Sequence, residues 1–315
     1  MSSELFQTLI IIIAAISLFV YGLQSFSSEI ESFGVEKLQN WISKITHFPL
    51  GGFLLGGIIT AVVQSSTMVS SLTVTLVSSG VLAFKQSLLI LLGANIGTTA
   101  TGWIVTFQSH LLGPIFIVLG TLVSMIPTRI ATIGKSIFYF GFIFFSLSFI
   151  SQAMEPLRND PLLIEILSKA SNPLLGILYG IVITVIIQSS SVVVGLVIVL
   201  ISQGVITLDS AIPIVVGANI GTTSTALLVS LKLSPLSRLT ALSASLFNVV
   251  GVILLLPFFN VLERFVETVT SNPAVQVALA FTISNTFTSV FFLIFLNSTM
   301  KLLQKHKWYK EAVNG

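Results

Sequence analysis

Two polar blocks set into apolar sequence constrain this chain more than any other feature. Gln64-Ser65-Ser66-Thr67 is followed, after an apolar interval, by Gly93-Ala94-Asn95-Ile96-Gly97-Thr98-Thr99. Gln188-Ser189-Ser190-Ser191 is followed in the same way by Gly217-Ala218-Asn219-Ile220-Gly221-Thr222-Thr223. Each residue of the second set lies 124 positions after its counterpart, and positions 56–105 match positions 180–229 at 22 of 50 places without a gap. The chain is an internal duplication. Amide and hydroxyl side chains are costly in hydrocarbon unless partnered or used. A lone Ser-Ser pair in a membrane helix commonly just bonds a carbonyl one turn back or packs at a helix contact. Two mirrored Gln-Ser-Ser-Ser/Thr blocks, each with the same companion segment, point to a site instead.

Hydrocarbon is the right reference, because 54% of the 315 residues are hydrophobic and only 8% are charged, at a mean hydropathy of +1.03. A soluble domain carries roughly 25% charged residues. Apolar segments of about 20 residues suit membrane helices rather than the alternating strands of an outer-membrane barrel. The absence of cysteine excludes disulfides, zinc–thiolate sites and thiol catalysis. The net charge of +3 comes largely from the tail after Lys301 and does not suggest nucleic acid. No basic region precedes residues 5–23, so they read as a first span rather than a signal peptide.

In order, Leu5–Phe26 is a first membrane helix, and Glu29–Ile45 has the helical alternation of an interfacial helix. Residues 48–84 carry no charge and are divided at Gln64-Ser65-Ser66-Thr67 into halves slightly short for full spans. A re-entrant hairpin over about 49–80, with the polar tetrapeptide at its tip, accounts best for that break. The helix over about 86–106 carries Gly93–Thr99, where two glycines predict an unwound or closely packed segment. Spans at Leu111–Ile126 and Ser136–Gln152 follow. The pattern then recurs: a short amphipathic piece at Leu157–Lys169, a charge-free hairpin over about 172–204, a broken helix over about 210–230, and a span at Pro235–Leu256. A polar loop with Glu263, Arg264 and Glu267, a last span at Pro273–Met300 and a frayed tail from Lys301 complete the chain. Trp308 and Tyr309 read as interfacial, and His110 and Asp209 as boundary residues outside the site.

The expected architecture is an all-α polytopic membrane protein. Its units are a first repeat (1–126), a second repeat (127–257), a loop and last helix (258–300) and a cytoplasmic tail (301–315). Seven full crossings are expected, three of them between equivalent points of the repeats. That odd number makes the repeats inverted. Charge agrees, because Lys37, Lys44, Lys85, Arg129, Lys135, Lys232 and Arg238 fall on the side of the basic tail, as the positive-inside bias requires. The amino terminus is then outside and the carboxyl terminus cytoplasmic, in the cell's inner (plasma) membrane.

Inverted repeats with broken helices meeting at mid-membrane are the architecture of secondary transporters. Helix N-termini there suit an anion. Helix C-termini and unwound carbonyls, with Ser, Thr, Asn and Gln oxygens, suit Na⁺. No Asp, Glu, Lys, Arg or His falls in either motif, so no titratable relay for proton coupling is visible. Sodium bound together with the anion supplies the missing counter-charge. No catalytic dyad or metal cluster is present, so an enzyme is not expected.

At these motifs the sequence resembles the type II sodium–phosphate cotransporter family. Its hallmark is the tandem Gln-Ser-Ser-Ser blocks, here Gln64–Thr67 and Gln188–Ser191, with the companion Gly-x-Asn-Ile-Gly-Thr at 93–98 and 217–222. The resemblance covers roughly residues 15–290 and implies Na⁺-driven symport of inorganic phosphate by alternating access. Thr67 departs from the pattern but keeps the hydroxyl. Where relatives often carry a His near the later Asn residues, this chain has Ala244, Ser245 and Phe281. The chain reads as a member lacking the soluble regulatory domain that many bacterial relatives append.

On this reading Ser65, Ser66, Ser189 and Ser190 are the expected phosphate ligands. Gln64, Thr67, Asn95, Thr98 and Thr99, with Gln188, Ser191, Asn219, Thr222 and Thr223, are expected to bind more than one Na⁺ and to hold the tips. The unmirrored Asn248 and Asn285 either line the site or cap a helix break. Rival readings are a sodium-coupled carrier of another oxyanion or a dicarboxylate, although a dicarboxylate would favour an arginine that is absent here, and an anion channel. Expected partners are phosphate, sodium and the lipid bilayer. The oligomeric state is left open, with a homodimer among the options.

Overall fold

The computed structural model describes residues 3–32, 50–107, 109, 111–126, 130–158, 160–305 and 309. Its ordered elements are helical throughout the described residues, and six helices are long and apolar enough to cross a membrane. The protein is a multi-pass α-helical membrane protein.

Helix α1 (Ser3–Ser32) leads to a pair of 13-residue helices, α2 (Gly51–Val63) and α3 (Ser66–Ser78), and then to the 23-residue α4 (Phe84–Thr106). Neither α2 nor α3 can span alone, since 13 residues rise only about 20 Å. Contacts with α4 set their direction. Gly52 faces Gln86, Gly56 faces Ile90 and Gly97 faces Thr60, so α2 and α4 run side by side in the same direction. The chain must then double back through α3 to reach the start of α4, and it reverses at Gln64-Ser65. The packing is close because glycine permits it. A Cβ on Gly56 would lie 2.1 Å from the Ile90 carbonyl oxygen, and one on Gly93 would lie 1.9 Å from that of Phe53.

The second unit repeats this arrangement. Helices α5 (Leu112–Ser124) and α6 (Ile130–Met154) pack against each other, and α7 (Pro161–Ser168) then runs into α8 (Pro173–Ile187) through a bend of 115°. Asp160 caps α7 by accepting from Leu163 N at 2.9 Å. Helices α8 and α9 (Ser190–Ser202) form the second hairpin against α10 (Leu208–Ser230). A Cβ on Gly180 would meet the Ile214 oxygen at 2.0 Å, and one on Gly217 the Ile177 oxygen at 2.2 Å, matching the first pair. Helices α11 (Pro235–Leu255), α12 (Phe259–Val269) and α13 (Pro273–Lys305) complete the fold.

The largest core lies between α1, α6, α9, α10 and α13, with Phe19, Ile198, Ile212 and Phe281 fully buried. The base of the first hairpin is tied to the start of α11. Ser237 Oγ donates to Val74 O at 2.7 Å, and Ser234 N donates to Ser78 Oγ at 3.1 Å. At the base of the second hairpin, Gln203 Nε2 donates to Ser151 Oγ near the end of α6. Lys85 Nζ bonds Asn297 Oδ1 at 2.8 Å and Trp103 Nε1 bonds Thr282 Oγ1 at 2.9 Å, so α13 runs antiparallel to α4.

Several expectations are corrected. Both Gly-Ala-Asn-Ile-Gly-Thr-Thr segments sit inside unbroken helices, not broken ones, because their glycines serve close approach of α2 and α8 rather than unwinding. The span expected at Leu111–Ile126 is a helix of 13 residues, too short to cross by itself. The polar loop around Glu263 is the amphipathic helix α12, since Phe259, Leu262 and Val266 recur at helical spacing and are buried. Helix α13 continues past Met300 to Lys305, and Tyr309 packs edge-on against Phe84 with ring centroids 5.6 Å apart. Of the interfacial helix expected over Glu29–Ile45, residues 29–32 belong to α1. Residues 33–45, like His110 and Trp308, lie outside the described residues.

Candidate functional site

Each hairpin tip is built by the same four residues in the same backbone shape. Gln64 (φ 60, ψ 26) and Gln188 (φ 59, ψ 25) are the two non-glycine residues with left-handed φ among those described. Each closes its preceding helix through its backbone N–H, Gln64 to Thr60 O at 2.8 Å and Gln188 to Thr184 O at 2.6 Å. Side-chain-bearing residues rarely adopt this conformation, which costs on the order of 1 kcal/mol each. The next residues, Ser65 and Ser189, are extended and cap α3 and α9 by accepting from Met68 N at 3.2 Å and Val192 N at 3.4 Å. Two helix ends of opposite polarity thus meet at each tip: the C-terminal ends of α2 and α8, and the N-terminal ends of α3 and α9.

The tips touch each other. Thr67 Oγ1 donates to the Gln188 carbonyl at 3.3 Å. Thr101 Oγ1, from α4, lies 2.7 Å from Gln64 Oε1 and 3.2 Å from Ser191 Oγ, joining one helix to both hairpins. Gln64 Nε2 turns back to Ala61 O, and Ser27 Oγ on α1 donates to Val63 O at 2.8 Å.

Two cavities flank the junction. The smaller, about 20 Å³, is lined by Ser66, Asn95, Thr98, Ser190, Asn219 and Asn248, together with Ser70, Thr222, Thr223 and apolar neighbours. None of its lining residues is ionisable. Its asparagines form a chain, with Asn95 Nδ2 donating to Asn248 Oδ1 at 2.8 Å and Asn248 Nδ2 donating to Asn219 O at 3.2 Å. The larger, about 440 Å³, is lined by Gln64, Ser65, Thr67, Gln188, Ser189 and Ser191, and on the α1 side by Gln24, Ser27, Ser28 and Glu31. Gln24, Ser28 and Gln188 are exposed, so this cavity opens to the outside of the fold.

The structure brings most of the sequence-predicted residues together but sorts them by side of the tip. Ser66 lines both cavities, Ser190 only the smaller, and Ser65 and Ser189 only the larger. Gln64, Thr67, Gln188 and Ser191 line the larger, whereas Asn95, Thr98, Asn219, Thr222 and Thr223 line the smaller. The threonine hydroxyls donate to carbonyls of their own helices: Thr98 to Ala94, Thr99 to Ile96, Thr222 to Ala218 and Thr223 to Ile220. Their lone pairs remain available to a ligand. Thr99 lines neither cavity. Asn248 joins the site. Asn285 does not, because its Nδ2 bonds Phe281 O within the unbroken α13 and it lines neither cavity.

Sequence reasoning missed Thr101 and Glu31. The repeat itself carried the signal for both, since Thr101 is matched by Thr225 and Glu31 by Glu155 at the same offset of 124. Ser27 is likewise matched by Ser151, whereas Gln24 and Ser28 had no such signal, being polar residues on the first span.

A model of the Na⁺/Pi-cotransporter family matches residues 18–152 and 154–257. The chain is 30% identical over 293 residues to the uncharacterized protein YqeW of Bacillus subtilis (strain 168), covering 92% of this chain and 95% of that protein. It is 28% identical over 260 residues to the putative inorganic phosphate export protein YjbB of Escherichia coli (strain K12), covering 82% of this chain but only 48% of that one. Over 150 residues it is 35% identical to the human sodium-dependent phosphate transport protein 2B, covering 44% of this chain and 21% of that protein. No solved structure matches significantly.

Proposed function

Because this chain belongs to the Na⁺/Pi-cotransporter family, we propose that it is a secondary active transporter. In this reading it couples Na⁺ to inorganic phosphate by alternating access between two inverted halves. One observation carries the proposal. The N-terminal ends of α3 and α9 converge, through Ser66 and Ser190, on a chamber of neutral polar side chains. Unpaired N–H groups and the positive helix ends favour an anion there. The asparagine amides supply further donors. The chamber's volume of about 20 Å³ holds roughly one water-sized sphere, so phosphate enters only as the hairpins separate. The C-terminal ends of α2 and α8, with the Gln64 and Gln188 side-chain oxygens, face the opposite polarity and suit Na⁺. More than one Na⁺ is needed to balance the anion in a chamber lined by no ionisable side chain, Glu31 lying in the larger cavity instead.

Inversion of the halves is supported by the ties at the hairpin bases. Helix α4 starts at the base of the first hairpin, and that base bonds the chain immediately after α10 ends. The two companion helices therefore run in opposite directions across the bilayer. Positive-inside bias then places the amino terminus outside and the carboxyl terminus in the cytoplasm of the cell that carries it in its plasma membrane.

The test is uptake of labelled phosphate into proteoliposomes under an imposed Na⁺ gradient, with sulfate and succinate as competitors. Accumulation that ignores sodium overturns the symport. Equal competition by succinate favours a dicarboxylate carrier, and flux that never runs uphill favours a channel. A second reading, phosphate export, is favoured by the name of the Escherichia coli relative, a putative inorganic phosphate export protein. Efflux from phosphate-loaded vesicles without sodium on either side would select it.

A further inference from the structure

Residues that the duplication makes equivalent are not in equivalent surroundings. Thr101, Gln64 and Ser191 form one hydrogen-bonded set, in which Thr101 Oγ1 lies 2.7 Å from Gln64 Oε1 and 3.2 Å from Ser191 Oγ. All three are buried, at 3%, 6% and 4% exposure. Shifting each by 124 positions gives Thr225, Gln188 and Thr67, all three still an amide and two hydroxyls. This second set is not assembled. Thr225 Oγ1 is buried without a hydrogen-bond partner, the Gln188 side chain is exposed in the larger cavity, and Thr67 bonds the Gln188 backbone instead.

A buried hydroxyl with no partner is costly to leave unmade, and nothing local accounts for it, since the two tips share their backbone angles. The surroundings of the second tip differ in the same sense. Ser71 lines the larger cavity, whereas its counterpart Gly195 is packed against the Phe19 ring.

We infer that Thr101 and Thr225 are paired positioning residues, each latching its companion helix to both hairpins in one of two access states. The structure has the Thr101 latch closed and the Thr225 latch open. In the opposite state Thr225 bonds Gln188 and Thr67, Gln64 is released, and Thr101 takes the unpartnered role. Because the exchange makes and breaks the same kinds of bond, the two states stay close in energy, which a carrier that must visit both requires. The inference rests on the alternating-access reading above but not on the identity of the cargo.

The chain contains no cysteine, so a single Ser28→Cys reporter in the larger cavity can be labelled by a membrane-impermeant maleimide in proteoliposomes without substrate. Thr101→Val, which keeps shape and removes the hydroxyl, is expected to slow labelling on the order of fivefold, the effect of one net hydrogen bond. Thr225→Val is not expected to slow it, and Thr101→Ser restores the parent rate. Equal slowing by both valine variants, or by neither, overturns the latch. Loss of sodium-driven uptake in the parent protein would instead overturn the proposed function and leave the labelling result standing.

Discussion

The two hairpin tips, Gln64–Thr67 and Gln188–Ser191, are nearly the same sequence in nearly the same backbone conformation, yet they live in different environments. Gln64 is 6% exposed and its amide oxygen is bonded by Thr101, while Gln188 is exposed to a cavity of about 440 Å³. Local sequence therefore sets the shape of each tip, and the packing of the halves decides which glutamine side chain is buried, although residues of both tips line that cavity.

The largest effects should be symmetric, since they strike the frame that the two tips share. Gly93→Val and Gly217→Val each drive side-chain atoms into a backbone carbonyl, because even a Cβ would lie 1.9 Å and 2.2 Å from Phe53 O and Ile177 O. Overpacking of this kind costs about 1–3 kcal/mol or more, and both variants are expected to lose most of the monodisperse protein in detergent chromatography. A wild-type yield from either one would break the equivalence of the two frames.

Transport should respond next. A Gln64→Ala, Gln188→Ala double variant is expected to retain less than about a tenth of sodium-driven phosphate uptake, a loss matching one or two hydrogen bonds to charged cargo. Normal uptake would remove the tips from the site. Stability should then separate the tips by sign. Gln188→Gly relieves a left-handed residue without losing a side-chain bond, so its stability should rise by about 1 kcal/mol, read as a higher thermal midpoint. Gln64→Gly gains the same relief but gives up the buried Thr101 bond and should show no such rise. Equal shifts for the two would mean that the Thr101 contact contributes nothing. The smallest effect is expected at the loops after α3 and α9. Gly80 (φ 75) and Gly204 (φ 69) adopt left-handed φ, and alanine at either should cost about 1 kcal/mol, nearly equally, in a denaturation series.

Much of this was legible in the residues. Near-absence of charge required a membrane, and the fixed offset of 124 required two copies of one unit. A charge-free run whose halves are slightly short for full spans made a reversal near Gln64–Thr67 and Gln188–Ser191 the best account of the polar break. The same glycines that suggested unwinding at 93–97 and 217–221 were ambiguous, because glycine serves equally to break a helix and to admit a neighbour. Only the approach of α2 and α8 to within contact of those backbones settles the matter in favour of intact helices. The sodium and phosphate expectations likewise followed position within each motif, whereas the fold sorts the same residues by which cavity they line.

What the sequence determined by itself is the duplication, the membrane environment, the two polar tips and the neutrality of the repeated motifs, because each follows from residue type and spacing. What only the tertiary structure decided is how the copies differ. It placed Thr101 between Gln64 and Ser191, left Thr225 without a partner, and opened one cavity beside Gln188. No sequence can distinguish positions that are identical by duplication, since the distinction lies in how two like halves pack against each other, and that packing has more than one solution.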